Sequence, residues 1–379
     1  MAWSRLRTSA ARRTILSSNP RHFACSLSRV PCNVGVRVWE IRDLYPRRRI
    51  PRTSMKESWE IRRASLHDVD DLASLCKAAV DPEDYVIEHL EDLVLLGVVH
   101  VALDDDRIVG MMHYSPTIDG NAWLGAARTH PRYRRRGVAS ALIQSFVGLA
   151  ARSRVHALRL WSSASNPTGM ASVKASGFRE VARFSRVIRP TDKGSPVVPL
   201  PFDMDLVRDV ADSAILRLCN GYVPYGRYFV ALTPANVHLL ASAGAFYRVA
   251  GGITVVSRHP EEDSEESIEF GLVAGDAAKV LRGIPAAAGR LGARTVASFL
   301  PHDPKLLEAA RKAGFEIVPW GKEAVLFERS VEVGPTSYRK RRTFAEIAAG
   351  KREGYAALGL LAGKHDHGHT GPHEDRWNP

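Results

Sequence analysis

The stretch RTHPRYRRRGVASALI, residues 128–143, sets five arginines and a proline directly ahead of a run of small and apolar residues. A solvated charge run and a phosphate-neutralising patch for nucleic acid are the simplest readings of such a cluster. Neither accounts for the order of the residues. Upstream, Asn121 to Arg128 reads as a mostly apolar strand, and downstream Val138 to Leu149 repeats apolar residues at helical spacing. The arginines therefore sit in a strand-to-helix turn. Pro131 ends the strand, Gly137 is the position without a Cβ, and Ala139 and Ser140 keep the first helical turn slim. Unpaired N–H groups at the head of such a helix point one way at the positive end of its dipole, which makes a seat for an anion such as a phosphate.

The chain has 379 residues, room for two ordinary domains, with 45% hydrophobic and 25% charged residues as in globular proteins. Its formal charge of +12 is unevenly spread. Residues 1–57 hold 13 Lys/Arg against 3 Asp/Glu, residues 331–379 hold 8 against 6, and residues 58–330 are balanced at 32 against 32. The balanced core argues against nucleic acid as a partner. No apolar run approaches the roughly 20 residues that span a bilayer, so no membrane partner is expected. Cys25, Cys32, Cys76 and Cys219 lie far apart, which indicates neither a disulfide framework nor a zinc site.

The first 57 residues form a basic leader, expected to be disordered. It has no acidic residue before Glu40 and repeats Arg with Ser, as organellar transit peptides do. Met55 opens a charged strand that is an equally natural start, and Gln144 is the sole glutamine. Depletion of thermolabile residues is a thermophile trait that biased codon usage also produces. The expectation is a cytoplasmic protein with a dispensable leader; a mitochondrial one follows instead if residues 1–54 are a transit peptide.

From Trp59 the pattern gives a short strand, a helix through Leu72, Leu75 and Ala79 capped by Ser65 and Asp68, and a second helix over about 83–95. A hairpin of 98–103 and 108–114 turns at Asp104–Asp106. The strand at 121–128, the arginine turn and a helix to about Arg152 follow. Then come a strand over 157–161, a short helix after Asn166-Pro-Thr-Gly that stops at Gly177, and final strands from Phe178. The layout is α+β around a central mixed sheet.

This order, Arg134-x-x-Gly137-x-Ala139 at the head of the third helix, and Asn166 followed by Gly177-Phe178 resemble the GCN5-related N-acetyltransferase (GNAT) family. The resemblance covers residues 58–190. It implies that amides of the turn hold the pyrophosphate of acetyl-CoA, with Arg134, Arg135 and Arg136 adding charge beside Gly137, Val138, Ala139 and Ser140. It implies that pantetheine lies along the 121–129 strand, its thioester carbonyl near the N–H groups of Ala127, Arg128 and Thr129, and that an amine attacks the thioester directly. The implied activity is that of an acyl-CoA-dependent N-acyltransferase acting on a small-molecule amine, a protein N-terminus or a lysine. Asn166 is read either as a partner of the pantetheine amide or as an ordinary turn residue before proline. Val173 stands where many relatives place a tyrosine that protonates the departing thiolate. A non-catalytic acyl-CoA-binding or sensing module is therefore the alternative. Ser162 and Ser163 are possible substitute hydroxyls, and Asp119, His130 and Glu88 are candidate bases, none of them assigned.

Residues 191–204 are rich in turn formers and read as a linker. Beyond them RKAGFEIV at 311–318 superposes on KASGFREV at 174–181, and the strand at 294–299 takes the place of that at 157–161. Residues 205–330 are thus expected to be a second, degenerate GNAT-like domain. It has no counterpart of Arg-x-x-Gly-x-Ala, and Asp303 replaces Asn166, so it is expected to bind no CoA and to stand in for a homodimer partner. The 331–379 tail carries His365, His367, His369 and His373. A disordered terminus is expected there rather than a metal site, since chelation needs a fixed ligand geometry.

Overall fold

Alternating burial on extended segments and a three-to-four-residue apolar spacing on the intervening ones generate two similar runs of elements. The structure, a computed structural model, describes residues 59–80, 84–194, 197–226, 228–258 and 267–333. The basic leader and the histidine-bearing tail lie outside the described residues, apart from 331–333. The first run comprises β1 (Glu60–Arg63), α1 (Val69–Ala79), α2 (Leu90–Leu95), β2 (Val99–Asp104), β3 (Arg107–Pro116), β4 (Ala122–Thr129), α3 (Val138–Arg152), β5 (Ala157–Ser163), α4 (Pro167–Ala175) and β6 (Arg179–Pro190). The second comprises β7 (Val198–Pro199), α5 (Met204–Ala211), α6 (Ala214–Arg217), β8 (Tyr222–Tyr225), β9 (Tyr228–Ala231), α7 (Pro234–Ser242), β10 (Phe246–Val249) and β11 (Gly252–Arg258). It continues through β12 (Ser267–Ala274), α8 (Ala277–Arg290), β13 (Thr295–Pro301), α9 (Pro304–Lys312), β14 (Glu316–Ile317) and β15 (Ala324–Ser330).

Two local differences from the sequence reading have clear causes. The second helix begins at Leu90 rather than near Glu83, after a 3-10 turn over Ile87–His89. The Asp84 carboxylate accepts the Val86 N–H at 3.2 Å, a local turn that competes with helix. The stretch 191–204 is more than a linker, because Val198 and Pro199 pair with Arg248 and Tyr247 as an edge strand.

Among the described residues, thirteen strands share one sheet in the order β1-β2-β3-β4-β5-β15-β6-β13-β12-β11-β10-β7, with β14 beside β6. The two segments expected as separate domains therefore share a sheet, and the described residues lie in one compact unit. Strand β15 lies between β5 and β6, so that Leu326 stands opposite both Trp161 and Ala182. On its other side β6 pairs with β13, Val187 opposite Ser298. The closing strand of each run thus sits beside a strand of the other.

Helices cover both faces. Leu142, Ile143 and Phe146 of α3 pack on one face against Leu124, Leu158, Val325 and Phe327. Each such fully buried side chain stabilises the fold by about 1.5–3 kcal/mol. Farther along, α8 and α9 cover β12 and β13. The opposite face carries α1 and α2 over β2 and β3, and a second mound where α5, α7 and the β8–β9 hairpin pack around Trp123, Phe184 and Phe229.

Candidate functional site

Strands β4 and β5 are parallel and form two rungs, Ala122 with Leu158 and Trp123 with Arg159. Beyond them the strands part. The cause is visible in β4: Ala126 has φ +50°, and the β3–β4 register slips between Met111 and His113. One extra residue in a strand bends it and breaks the ladder. The resulting gap is flanked by Ala127, Arg128 and Thr129 on one side and by half-exposed Trp161, Ser162 and Ser163 on the other.

At the open end of the gap the chain turns into α3. His130 accepts the Arg132 N–H on Nδ1 at 3.3 Å, a 3-10 turn spans Pro131–Tyr133, and Arg135 and Gly137 have φ +62° and +83°. Left-handed backbone at 137 suits glycine, and a Cβ there would meet nothing within 4 Å. Gly137 is the residue before the helix and offers no side-chain cap. The N–H groups of Val138, Ala139 and Ser140 precede the helical ladder and therefore face outward past an exposed glycine. Of the neighbouring cations, Arg134 reaches the carbonyl of Ala79 at the end of α1. Arg136 lies over the rings of Trp59, at 5.4 Å, and Tyr133, at 5.0 Å. Arg135 is exposed. The structure thus brings residues 127–129 and 134–140 to one edge of the gap.

Asn166 lies across the gap at the head of α4, where its Oδ1 accepts the Gly169 N–H at 3.0 Å. It is a helix N-cap, which accounts for its place before Pro167. Val173 is half-buried and packs against the α3 core. Ser163 and Ser165 share a hydrogen bond of 2.8 Å.

The face opposite α3 holds two buried arginine–carboxylate pairs. Arg128 turns its guanidinium inward, bidentate to Asp84 at 2.6 Å to each oxygen. Burial pushes the Asp84 carboxyl up, and Arg128 more than offsets it, holding it below the ordinary range. Asp119 is likewise pushed up by burial and drawn down further by Arg159, at 2.5 Å. A carboxylate held ionised by a buried arginine is a poor proton acceptor, which removes Asp119 from the candidate bases. Slight burial with Arg107 and Arg132 nearby keeps the His130 imidazole below its usual value. Glu88 is an exposed residue on the turn before α2.

A further pair was missed in the sequence. His113 and Ser115 alternate on β3, so they share a face, and His113 Nε2 lies 2.6 Å from Ser115 Oγ. His113 stands opposite Gly125, the residue before the irregular Ala126. The i, i+2 spacing on a strand was the available signal.

The second run repeats this layout and closes it. Strands β12 and β13 are parallel over three rungs ending at Glu269 with Ala297. Past that point Ser298 donates its hydroxyl to the Phe270 carbonyl at 2.6 Å, bridging the two strands. Ser298, Phe299 and Leu300 are buried where Trp161, Ser162 and Ser163 are half-exposed. At the head of α8, the Asp276 carboxylate accepts the Lys279 N–H at 3.1 Å. By sequence, Asp303 is the carboxylate expected to obstruct the second site. Asp303 instead caps α9 through the N–H groups of Lys305 and Leu306, as Asn166 caps α4. Among the described residues no group of three or more metal-ligating side chains is assembled, and no helix is long and apolar enough to cross a membrane.

Residues 66–178 match the model of the acetyltransferase (GNAT) family. Among solved structures the chain is similar to a GCN5-related N-acetyltransferase from Sphaerobacter thermophilus, at 14% identity over 74% of this chain and 98% of that one, TM-score 0.44. Another from Anabaena variabilis is 14% identical over 73% of each chain, TM-score 0.41. PaiA N-acetyltransferase from Thermoplasma acidophilum, in complex with coenzyme A, is 17% identical over 33% of this chain and 91% of that one, TM-score 0.30. No curated protein matches the chain.

Proposed function

We propose, from the membership of residues 66–178 in the GNAT acetyltransferase family, that this protein moves an acetyl group from acetyl-CoA to an amine by direct attack on the thioester. The observation that carries the reading is the uncapped head of α3, behind Gly137, at the mouth of the β4–β5 gap. In this reading the amides of Gly137, Val138, Ala139 and Ser140 take the pyrophosphate, and Arg134, Arg135 and Arg136 add a positive field. The pantetheine arm extends along β4. The N–H groups of Ala127 to Thr129 stabilise charge developing on the thioester oxygen, because dipoles fixed in advance need no reorganisation.

The acceptor amine approaches from the face opposite α3, gives a proton to water or a side chain, and forms the C–N bond as the C–S bond breaks. A thiolate of ordinary pKa, about 8.5, leaves near neutral pH without a dedicated acid, which accommodates Val173. Residues 205–330 act as a second copy of the fold that binds no CoA and completes the first.

Calorimetry with CoA, and thiol release from acetyl-CoA with spermidine, lysine and a short peptide as acceptors, test the proposal together. Saturable binding with amine-dependent thiol release is the expected result. Binding without release for every amine favours a sensing module, and absence of CoA binding overturns both.

A further inference from the structure

Arg159 occupies the last rung before β4 and β5 part, opposite Trp123. Only 5% of it is exposed. Its Nη1 donates to Asp119 Oδ2 at 2.5 Å and to the Phe229 carbonyl at 3.3 Å, and its Nε donates to Glu328 Oε2 at 2.7 Å. The guanidinium lies 5.4 Å from the centre of the Tyr222 ring, and the Tyr222 hydroxyl donates to the same Glu328 oxygen at 2.7 Å. Asp119 is fixed in turn by the Thr117 hydroxyl at 2.6 Å and the Asn121 amide at 3.0 Å. Burial opposes the Arg159 charge, and Asp119 and Glu328 more than restore it, so the guanidinium titrates above its ordinary range.

Two features set this cluster apart from simple packing. A buried ion network is weak evidence of stability, since apolar residues of similar volume often do as well. It also joins distant parts of the chain at one rung: Asp119 belongs to the turn leading into β4, whereas Glu328, Tyr222 and Phe229 come from β15, β8 and β9. The guanidinium is a rigid planar fork, so carboxylates bound along two of its edges dictate its position.

We propose that Glu328 and Tyr222 are positioning residues for the first run: by fixing Arg159 they fix the point from which β4 and β5 diverge, and so the width of the gap. The inference rests on the reading that the gap takes the pantetheine arm of acetyl-CoA. It gives residues 205–330 a task in the site beyond covering the sheet.

The test compares two probes on the full chain, acetyl-CoA and adenosine 3′,5′-bisphosphate, the latter carrying the nucleotide end without the arm. In Glu328→Gln the affinity for acetyl-CoA should fall about tenfold, the size of coupling through a packed network, while that for the bisphosphate stays unchanged. Loss of affinity for both probes together, or for neither, overturns the proposal. Where Glu328→Gln does not fold, Tyr222→Phe removes one hydroxyl at constant shape and is held to the same comparison. If the wild-type chain binds acetyl-CoA no more tightly than the bisphosphate, the reading of the gap itself fails.

Discussion

Gly137 and Asp276 stand at corresponding places, each the residue before the helix that follows an inner strand of the sheet, and they treat that helix in opposite ways. Gly137, with φ +83°, leaves the head of α3 open. Asp276 fills the head of α8 with its own carboxylate, and the Lys279 N–H bond foremost holds that carboxyl below its ordinary pKa. One chain thus carries one helix head without a side-chain cap and one capped by its own carboxylate.

A carboxylate placed at the open head should compete with a phosphate. Ala139→Glu is expected to weaken CoA binding by about tenfold to a hundredfold, the range for losing a hydrogen bond to a charged group. The melting temperature should hold or rise, since an acidic residue suits the first turn of a helix. Calorimetry beside a thermal melt checks both, and unchanged affinity in the folded variant would remove the cradle assignment.

Asp276→Ala uncaps α8 and should lower the melting temperature, yet CoA should still bind at one per chain. The Ser298 hydroxyl continues to bridge β12 and β13 at Phe270, so uncapping the helix does not open a gap for the arm. A stoichiometry of two in titration calorimetry would show that Asp276 alone keeps the second seat shut.

His100 packs edge-on against Phe146 at 5.0 Å between centroids, and burial foremost, then Arg63, lowers its pKa to about 4. The unfolded chain takes up this proton near pH 6.5, whereas the native state resists until about pH 4. Protons bound only by the unfolded state lower stability as pH falls, so up to about 3 kcal/mol should be lost between pH 6.5 and 4. Asp84 and Asp119 have depressed pKa values, so their contribution is intact above about pH 4 and is lost only below it. Urea unfolding at pH 7, 5.5 and 4.5 should therefore show a shallower decline in His100→Leu than in the wild type. Parallel curves would deny His100 this role.

Cutting the chain between residues 194 and 197 should leave the first piece unable to stand alone. Its β5 and β6 are separated by β15, so removing residues 324–330 exposes two strand edges at the centre of the sheet. A fragment of residues 59–194 should aggregate or self-associate, and co-expression with residues 197–333 should recover a 1:1 complex. Sedimentation showing a stable, fully active monomeric fragment would contradict this.

Much of the first half was legible in the chain. Strand β4, the arginine turn and α3 are local: period, proline and glycine suffice to place Gly137 at the head of a helix, because each depends on neighbours a few residues away. Asn166 and Asp303 were visible as matching positions for the same reason, although their common task as helix caps emerged only when the N–H groups of Gly169, Lys305 and Leu306 were located.

What tertiary structure decided is everything that pairs residues far apart. Alternation in β15 says that it belongs in a sheet; that it lies between β5 and β6 depends on ladder bonds to residues at least 140 positions away. Arg159, a charge in a strand, reads as solvent-facing until Asp119 and Glu328 are seen to enclose it. Both β4 and β12 carry an extra residue near their ends, so the open and closed gaps differ instead by the Ser298 hydroxyl that bridges β12 and β13, which has no local signature. Sequence by itself determined that a helix begins behind Gly137 without a side-chain cap, because backbone conformation is local; the fold decided which strands part beside that helix, because that turns on which strand ends up beside which.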